Sequence, residues 1–329
     1  MTPQLFSLDI GTQHTRIAQA GKGIVLCEPT LIADCGNLPI GLAVGADVTR
    51  MQGKLLAGMR LSQPFLDGHL ASPGATTLLV RALLQRLRLR AWSRPSFRLV
   101  VPGQATALER AQLVHAVRAA GVERISLAVS SIASAHACGV EVSRTSSAAV
   151  IDIGASLTEM AIVSEQIVFR RGLRLGGSDF DEVMRDALNI QAGVEVSLTV
   201  ARDVKERVGC SSADGDTSDV TVTGRSRACG GLPRHSPVAR SLIYGCLEPP
   251  LQRLEELLRG VLDQLSPLVC KDIQRDGLFL AGGGALLGGL PEYLEHRLGV
   301  RFHRVPDPIH CAALGALALP PELCEEAGP

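Results

Sequence analysis

The feature that most constrains this chain is a strand-turn-strand pattern that occurs twice. One copy, from Leu8, reads LDIGTQHTRIAQAGKGIVL; the other, from Ile151, reads IDIGASLTEMAIVSEQIVF. Aligned without a gap, Asp9 falls on Asp152, Ile10 on Ile153, Gly11 on Gly154 and Thr15 on Thr158. Ala18 then meets Ala161, Ile24 meets Ile167 and Val25 meets Val168. Such a repeat predicts two similar α/β halves, each presenting one turn to a shared cleft.

The chain has 329 residues, which suits two domains of roughly 100–200 residues. The pattern divides it into 1–144, with a small irregular insertion about 30–72, and 145–329, with an insertion about 183–240 and a last helix returning to the first half. Strands are expected at Leu5–Ile10, Thr15–Ala20, Ile24–Cys27, Arg98–Val101 and Ile125–Val129, and helices at Thr76–Arg90, Ala107–Ala120 and Ser131–Cys138. The second half predicts strands at Ala148–Ile153, Thr158–Val163, Gln166–Arg170 and Gly277–Ala281. Its expected helices are Phe180–Asn189, Ser241–Leu265 and Leu290–Leu298, with residues 209–236 a polar loop or short hairpin.

Aromatics are only 3% of residues, so the cores must be packed by Leu, Val, Ala and Ile. Lys plus Arg and Asp plus Glu balance at 33 each, which argues against a nucleic acid partner. There is no basic-then-apolar leader and no apolar run of ~18–20 residues, so the expected location is cytoplasmic. Nine dispersed cysteines without a CxxC read as reduced thiols, not as a disulfide frame or a zinc site.

The pattern D-x-G-x-x-x-T at a strand end has a chemical logic. Glycine permits a tight turn and exposes N–H donors to anions, and the threonine adds a hydroxyl. An aspartate would repel a bare phosphate, but it fits if Mg2+ lies between them and the carboxylate holds metal-bound water. Two such turns, with Asp9 and Asp152 near the metal, would clamp a triphosphate from both sides. One copy alone is simply a hairpin turn. Two copies followed by Leu280-Ala281-Gly282-Gly283-Gly284-Ala285-Leu286-Leu287 favour a nucleotide. Against that flat backbone a base and sugar can lie, although a lone glycine-rich turn more often serves close packing.

These elements together resemble the superfamily of actin, sugar-kinase and heat-shock ATPases, and within it the MreB/Mbl bacterial actins. Gly21-Lys22-Gly23-Ile24-Val25-Leu26-Cys27-Glu28-Pro29 is similar to that family's wording after the first turn. So are Val101-Pro102-Gly103, Glu109-Arg110, Leu175-Gly176-Gly177-Ser178-Asp179-Phe180-Asp181-Glu182, Gly282–Leu287 and Asp307-Pro308. The resemblance implies an actin-like α/β fold with two lobes around a cleft for ATP (or GTP) and Mg2+. Asp9, Gly11, Thr12 and Thr15 match the first phosphate turn, which also puts Gln13 and His14 beside the nucleotide, and Asp152, Gly154, Ala155, Ser156 and Thr158 match the second. Gly282, Gly283 and Gly284 match the adenosine motif. Lys205, in Arg202-Asp203-Val204-Lys205, fits the family's nucleoside-side helix only loosely, and the alternative is a solvated helix residue.

The departures bear on mechanism. The family's water-orienting catalytic glutamate falls on Ser130, whose hydroxyl is a poor base at neutral pH. Ala155 and Ser156 replace glycines and Leu157 a threonine, and each added Cβ limits the approach to phosphate. His14 stands where the family has Asn, as a cation toward a terminal phosphate or as a plain turn residue. Trp92, among Arg86, Arg88, Arg90 and Arg94, falls where the family carries a membrane-dipping loop. It reads equally as a core cap under a basic helix.

The resemblance implies a cytoskeletal protein that self-assembles into filaments at the inner membrane surface. There it would meet membrane-bound cell-wall elongation or sporulation proteins, and be at most a slow ATPase. The eroded turns and Ser130 leave open a non-polymerising nucleotide-binding scaffold.

Overall fold

The computed structural model describes residues 4–34, 43–51, 59–89, 94–138, 147–164, 167–211, 218–226 and 232–327. Trp92 lies outside them. The chain forms two compact units: Met1–Glu141 with Ile167–Arg171 and Ile309–Pro329, and Val142–Gln166 with Gly172–Pro308.

In the first unit six strands form one sheet, in the order Glu325–Glu326, Arg124–Val129, Ser96–Val101, Leu5–Ile10, His14–Gln19, Gly23–Pro29. Leu5–Ile10 runs parallel to Ser96–Val101 and antiparallel to His14–Gln19. Parallel strands covered on both faces read as continuous apolar runs, and Ser96–Val101 is buried at every position after the first. On one face Phe6, Leu8, Ile17 and Leu99 pack with Leu79, Leu83 and Val117 from the helices Pro73–Arg86 and Ala107–Ala119. Phe6 and Phe97 stack there with centroids 5.1 Å apart.

The helix Cys311–Ala318 packs against the helix Ser130–Ala137 and the strand Leu5–Ile10. A Cβ on Gly315 would stand 1.7 Å from the Ala133 carbonyl oxygen, so only glycine fits that crossing. Two buried polar side chains fasten the same helix. Ser7 Oγ donates to the Ala313 carbonyl at 2.6 Å, and Arg98 Nη1 donates to the carbonyls of Ala316 at 2.8 Å and Leu319 at 2.6 Å. The arginine thus fills carbonyls that the end of a helix leaves open.

The second unit repeats the plan. In its sheet the strands Thr158–Val163, Ala148–Ile153, Leu278–Ala281 and Phe302–Arg304 follow one another. Again a strand, Ala148–Ile153, is antiparallel to the next and parallel to a distant one, Leu278–Ala281. Thr158–Val163 is buried throughout. Around the sheet lie the helices Gly177–Ile190, Leu198–Val208, Arg240–Leu262, Pro267–Asp276 and Leu290–Leu298.

Several boundaries differ from the sequence reading, each for a local reason. The helix expected from Thr76 starts at Pro73, behind Ser72, whose hydroxyl accepts from Ala75 N at 3.2 Å. The one expected from Phe180 starts at Gly177, because the Asp179 carboxylate accepts the Gly176 N–H at 2.8 Å. The long helix expected to reach Leu265 stops at Leu262, and a separate helix begins at Pro267 behind Ser266. The hairpin alternative for 209–236 holds, with the paired strands Val220–Ser226 and Pro233–Val238 running two residues past that range.

All seven described cysteines are free thiols. Cys27 is exposed, whereas burial pushes the Cys210 thiol up to about 12. Thiolate is the alkylating species, so iodoacetamide at neutral pH should label Cys27 in the native protein and spare Cys210 until denaturant is added. Peptide mass mapping reads both sites. Equal native labelling would contradict this packing.

Candidate functional site

The two turns close in the same way. Gly11 N donates to the His14 carbonyl at 3.0 Å, and Gly154 N to the Leu157 carbonyl at 2.8 Å. Cβ atoms at these glycines would lie 3.1 Å and 3.0 Å from the same oxygens. Thr15 and Thr158 are fully buried. The Thr15 hydroxyl bonds Thr30 Oγ1 at 2.9 Å, and the Thr158 hydroxyl donates to the Leu175 carbonyl at 2.8 Å. These threonines therefore pin each hairpin to the segment that follows it and do not present a hydroxyl to a ligand, contrary to the sequence reading. Thr12, Gln13 and His14 form the partly exposed first turn, where the Gln13 carbonyl accepts the Thr30 N–H at 2.9 Å.

Ala155 and Ser156 form the second turn, and the Gly177–Ile190 helix backs it. Gly177 N donates to the Gly154 carbonyl at 3.0 Å and Ser178 N to the Ala155 carbonyl at 2.7 Å. A Cβ at Gly176 would stand 2.5 Å from the Ala155 carbonyl carbon, which explains that glycine. Behind the turn Lys205 Nζ lies 2.6 Å from Asp181 Oδ1 and 3.1 Å from the Gly177 carbonyl. Arg202 Nε approaches Asp181 Oδ2 at 2.8 Å. Lys205 is buried, so it is not a solvated helix residue; it holds the glycine turn that supports the second loop. Sequence reasoning missed Asp181, though Arg202 and Lys205 at i,i+3 on one helix face were a signal that something acidic faced them.

The glycine triplet touches the same turn. Gly282 has φ +78°, and a Cβ there would lie 2.5 Å from Asp152 Oδ1. One on Gly284 would lie 2.2 Å from Ile153 Cγ2. Close packing thus accounts for both. Gly283 has nothing within 4 Å of its Cβ position. Its face is open, next to the contact with Asp152.

The fit to a divalent cation differs between the two turns. Asp152 sits opposite Glu159 across its hairpin, and Glu159 is 2% exposed. Two carboxylates on one sheet face suit Mg2+, which takes one or two protein carboxylates plus phosphate oxygens and water. Asp9 instead sits opposite Arg16, with Nη1 3.5 Å from Oδ2. Burial pushes the Asp9 carboxyl above its ordinary range, while Arg16 and His310 pull it back. A carboxylate already facing a guanidinium is a poor cation ligand, so Asp9 does not fit the metal role expected of it. Among the described residues no group of three or more His, Cys, Asp or Glu is placed to hold a metal.

Ser130 is the first residue of the Ser130–Ala137 helix, directly after the strand Arg124–Val129, and the first turn of that helix carries no acid. Among the described residues no helix is long and apolar enough to cross a membrane.

The MreB/Mbl protein family model matches residues 3–325. The cell shape-determining protein MreB of Escherichia coli strain K12 is 30% identical over 316 residues, covering 94% of this chain and 91% of that protein. The cell shape-determining protein Mbl of Bacillus subtilis strain 168 is 27% identical over 310 residues, covering 94% and 93%. Among solved structures, MreB 5 of Spiroplasma citri bound to AMPPNP superposes with a TM-score of 0.87 at 26% identity, covering 97% and 96%. The chain has the actin-like α/β fold that its sequence predicts.

Proposed function

The chain belongs to the MreB/Mbl family, and we propose that it is a cytoskeletal protein that binds an adenine nucleotide and forms filaments at the inner face of the cytoplasmic membrane. There it would organise cell-wall synthesis through membrane-bound partners. The observation that carries the nucleotide reading is the open face of Gly283 beside Asp152, on a turn whose other two glycines are packed shut. An AMPPNP-bound relative of the same fold supports it. Mg2+, when bound, would neutralise phosphate charge next to Asp152 and Glu159. Hydrolysis is slow or absent, because the helix at Ser130 opens without a carboxylate to orient water, and losing such a group costs ~10²-fold or more.

Calorimetry of magnesium-ATP with the purified protein tests binding, with GTP as competitor. Asp152→Ala is expected to weaken binding at least about tenfold, about 1.4 kcal/mol, and sedimentation with ATP should pellet the wild type. A turnover rate like that of ordinary bacterial actins would contradict slow hydrolysis. A second reading, a nucleotide-binding scaffold that does not polymerise, is favoured by Ala155 and Ser156 in place of glycines. It predicts binding without a pellet.

A further inference from the structure

The two hairpins are internal controls for each other. In the second, the residue after the threonine is Glu159, opposite Asp152. In the first, the same place holds Arg16, opposite Asp9. One turn therefore pairs acid with acid, and the other pairs acid with base. A divalent cation suits the former. In the latter the site already carries its own positive charge.

The position of the guanidinium gives that charge a use. Arg16 Nη1 is 3.5 Å from Asp9 Oδ2, a loose pairing. The same Nη1 lies 4.0 Å from where a Cβ of Gly11 would stand, so the group lies over the glycine of the turn. Arg16 Nε is buried without a hydrogen-bond partner among the described residues. An arginine has five N–H donors in a rigid fork suited to phosphate oxygens, and this one leaves donors unspent beside a phosphate turn. The surroundings of Asp9 attract an anion more than a second cation.

We propose that Arg16 is a phosphate-binding and specificity-determining residue, which replaces the divalent cation at the first turn so that nucleotide binds with little dependence on Mg2+. The inference rests on the nucleotide reading above and deepens it.

The test measures ATP affinity of the full chain by calorimetry, in EDTA and in millimolar Mg2+, for the wild type, Arg16→Lys and Arg16→Leu. Thermal unfolding establishes that each variant is folded. The wild type should change less than about threefold between the two conditions. Arg16→Leu should lose at least about tenfold in EDTA and recover much of it with Mg2+, because Asp9 is then released to a cation. Arg16→Lys should fall between. A wild type that loses about 100-fold in EDTA would overturn the role of Arg16 while leaving the nucleotide reading intact. A folded Arg16→Leu with wild-type affinity in EDTA would do the same. No binding in either condition would overturn both.

Discussion

Asp181→Ala is expected to destabilise the second unit by about 3–5 kcal/mol, the usual cost of removing one partner from a buried ion pair. The Asp181 side chain is 2% exposed and faces both Lys205 and Arg202. Removing it strands the Lys205 ammonium, itself buried, without a counter-charge. Arg202, about a third exposed, can turn to water and adds less. The damage should spread to the turn at Gly154. Lys205 Nζ also donates to the Gly177 carbonyl, and the Gly177 N–H supports the Gly154 carbonyl. Urea unfolding gives the change from the shift in midpoint at constant slope. The pair Asp181→Leu with Lys205→Met should recover most of the loss, because apolar residues of similar volume remove both charges together. A midpoint for Asp181→Ala equivalent to less than about 1 kcal/mol would mean that the pair is solvated.

What the sequence displayed and what it concealed divide along a physical line. Local patterns were legible. The hairpins around Asp9 and Asp152 follow from a strand, a glycine turn and a threonine within seven residues, and they are where they were expected. The helix expected from Ala107 begins there, and Glu109 closes a capping box with Thr106, accepting the Thr106 N–H at 2.7 Å. Contacts between distant segments left no such trace. No spacing rule joins Thr15 to Thr30, Arg98 to the end of the Cys311–Ala318 helix, or Asp181 to Lys205. The hydroxyls of Thr15 and Thr158 were misread for that reason, since their partners belong to segments that only tertiary structure brings near. Arg16 was passed over because its charge acquires meaning only across the hairpin, opposite Asp9. Ser130, where the resemblance puts the family's glutamate, can be named from the sequence alone, because it is an identity at one position and needs no partner.

Gly283→Leu is expected to weaken nucleotide binding severely while leaving the fold in place. The three glycines of the triplet do different jobs, and the space around each decides the outcome. At Gly284 a Cβ would lie 2.2 Å from Ile153 Cγ2, and at Gly282 it would meet the Ile153 carbonyl oxygen at 2.4 Å with φ at +78°. Alanine at either place must push the second phosphate turn away, at roughly 1–3 kcal/mol, and affinity would fall as a consequence of a damaged fold. Gly283 has open space at its Cβ position and no positive φ, so a Cβ there strains nothing. Replacing glycine also restricts the unfolded chain, which offsets part of any cost. An isobutyl group would instead fill the face on which a base and ribose must lie flat. A loss of about 100-fold in ATP affinity, near 2.7 kcal/mol, is expected, with a melting temperature within a few degrees of the wild type. Gly284→Ala should give the reverse signature, a lower melting temperature with a smaller change in affinity per folded molecule. If Gly283→Leu folded and bound ATP as the wild type does, the nucleoside would have to lie elsewhere. The open face of Gly283 would then have no part in binding, and the triplet would serve packing alone.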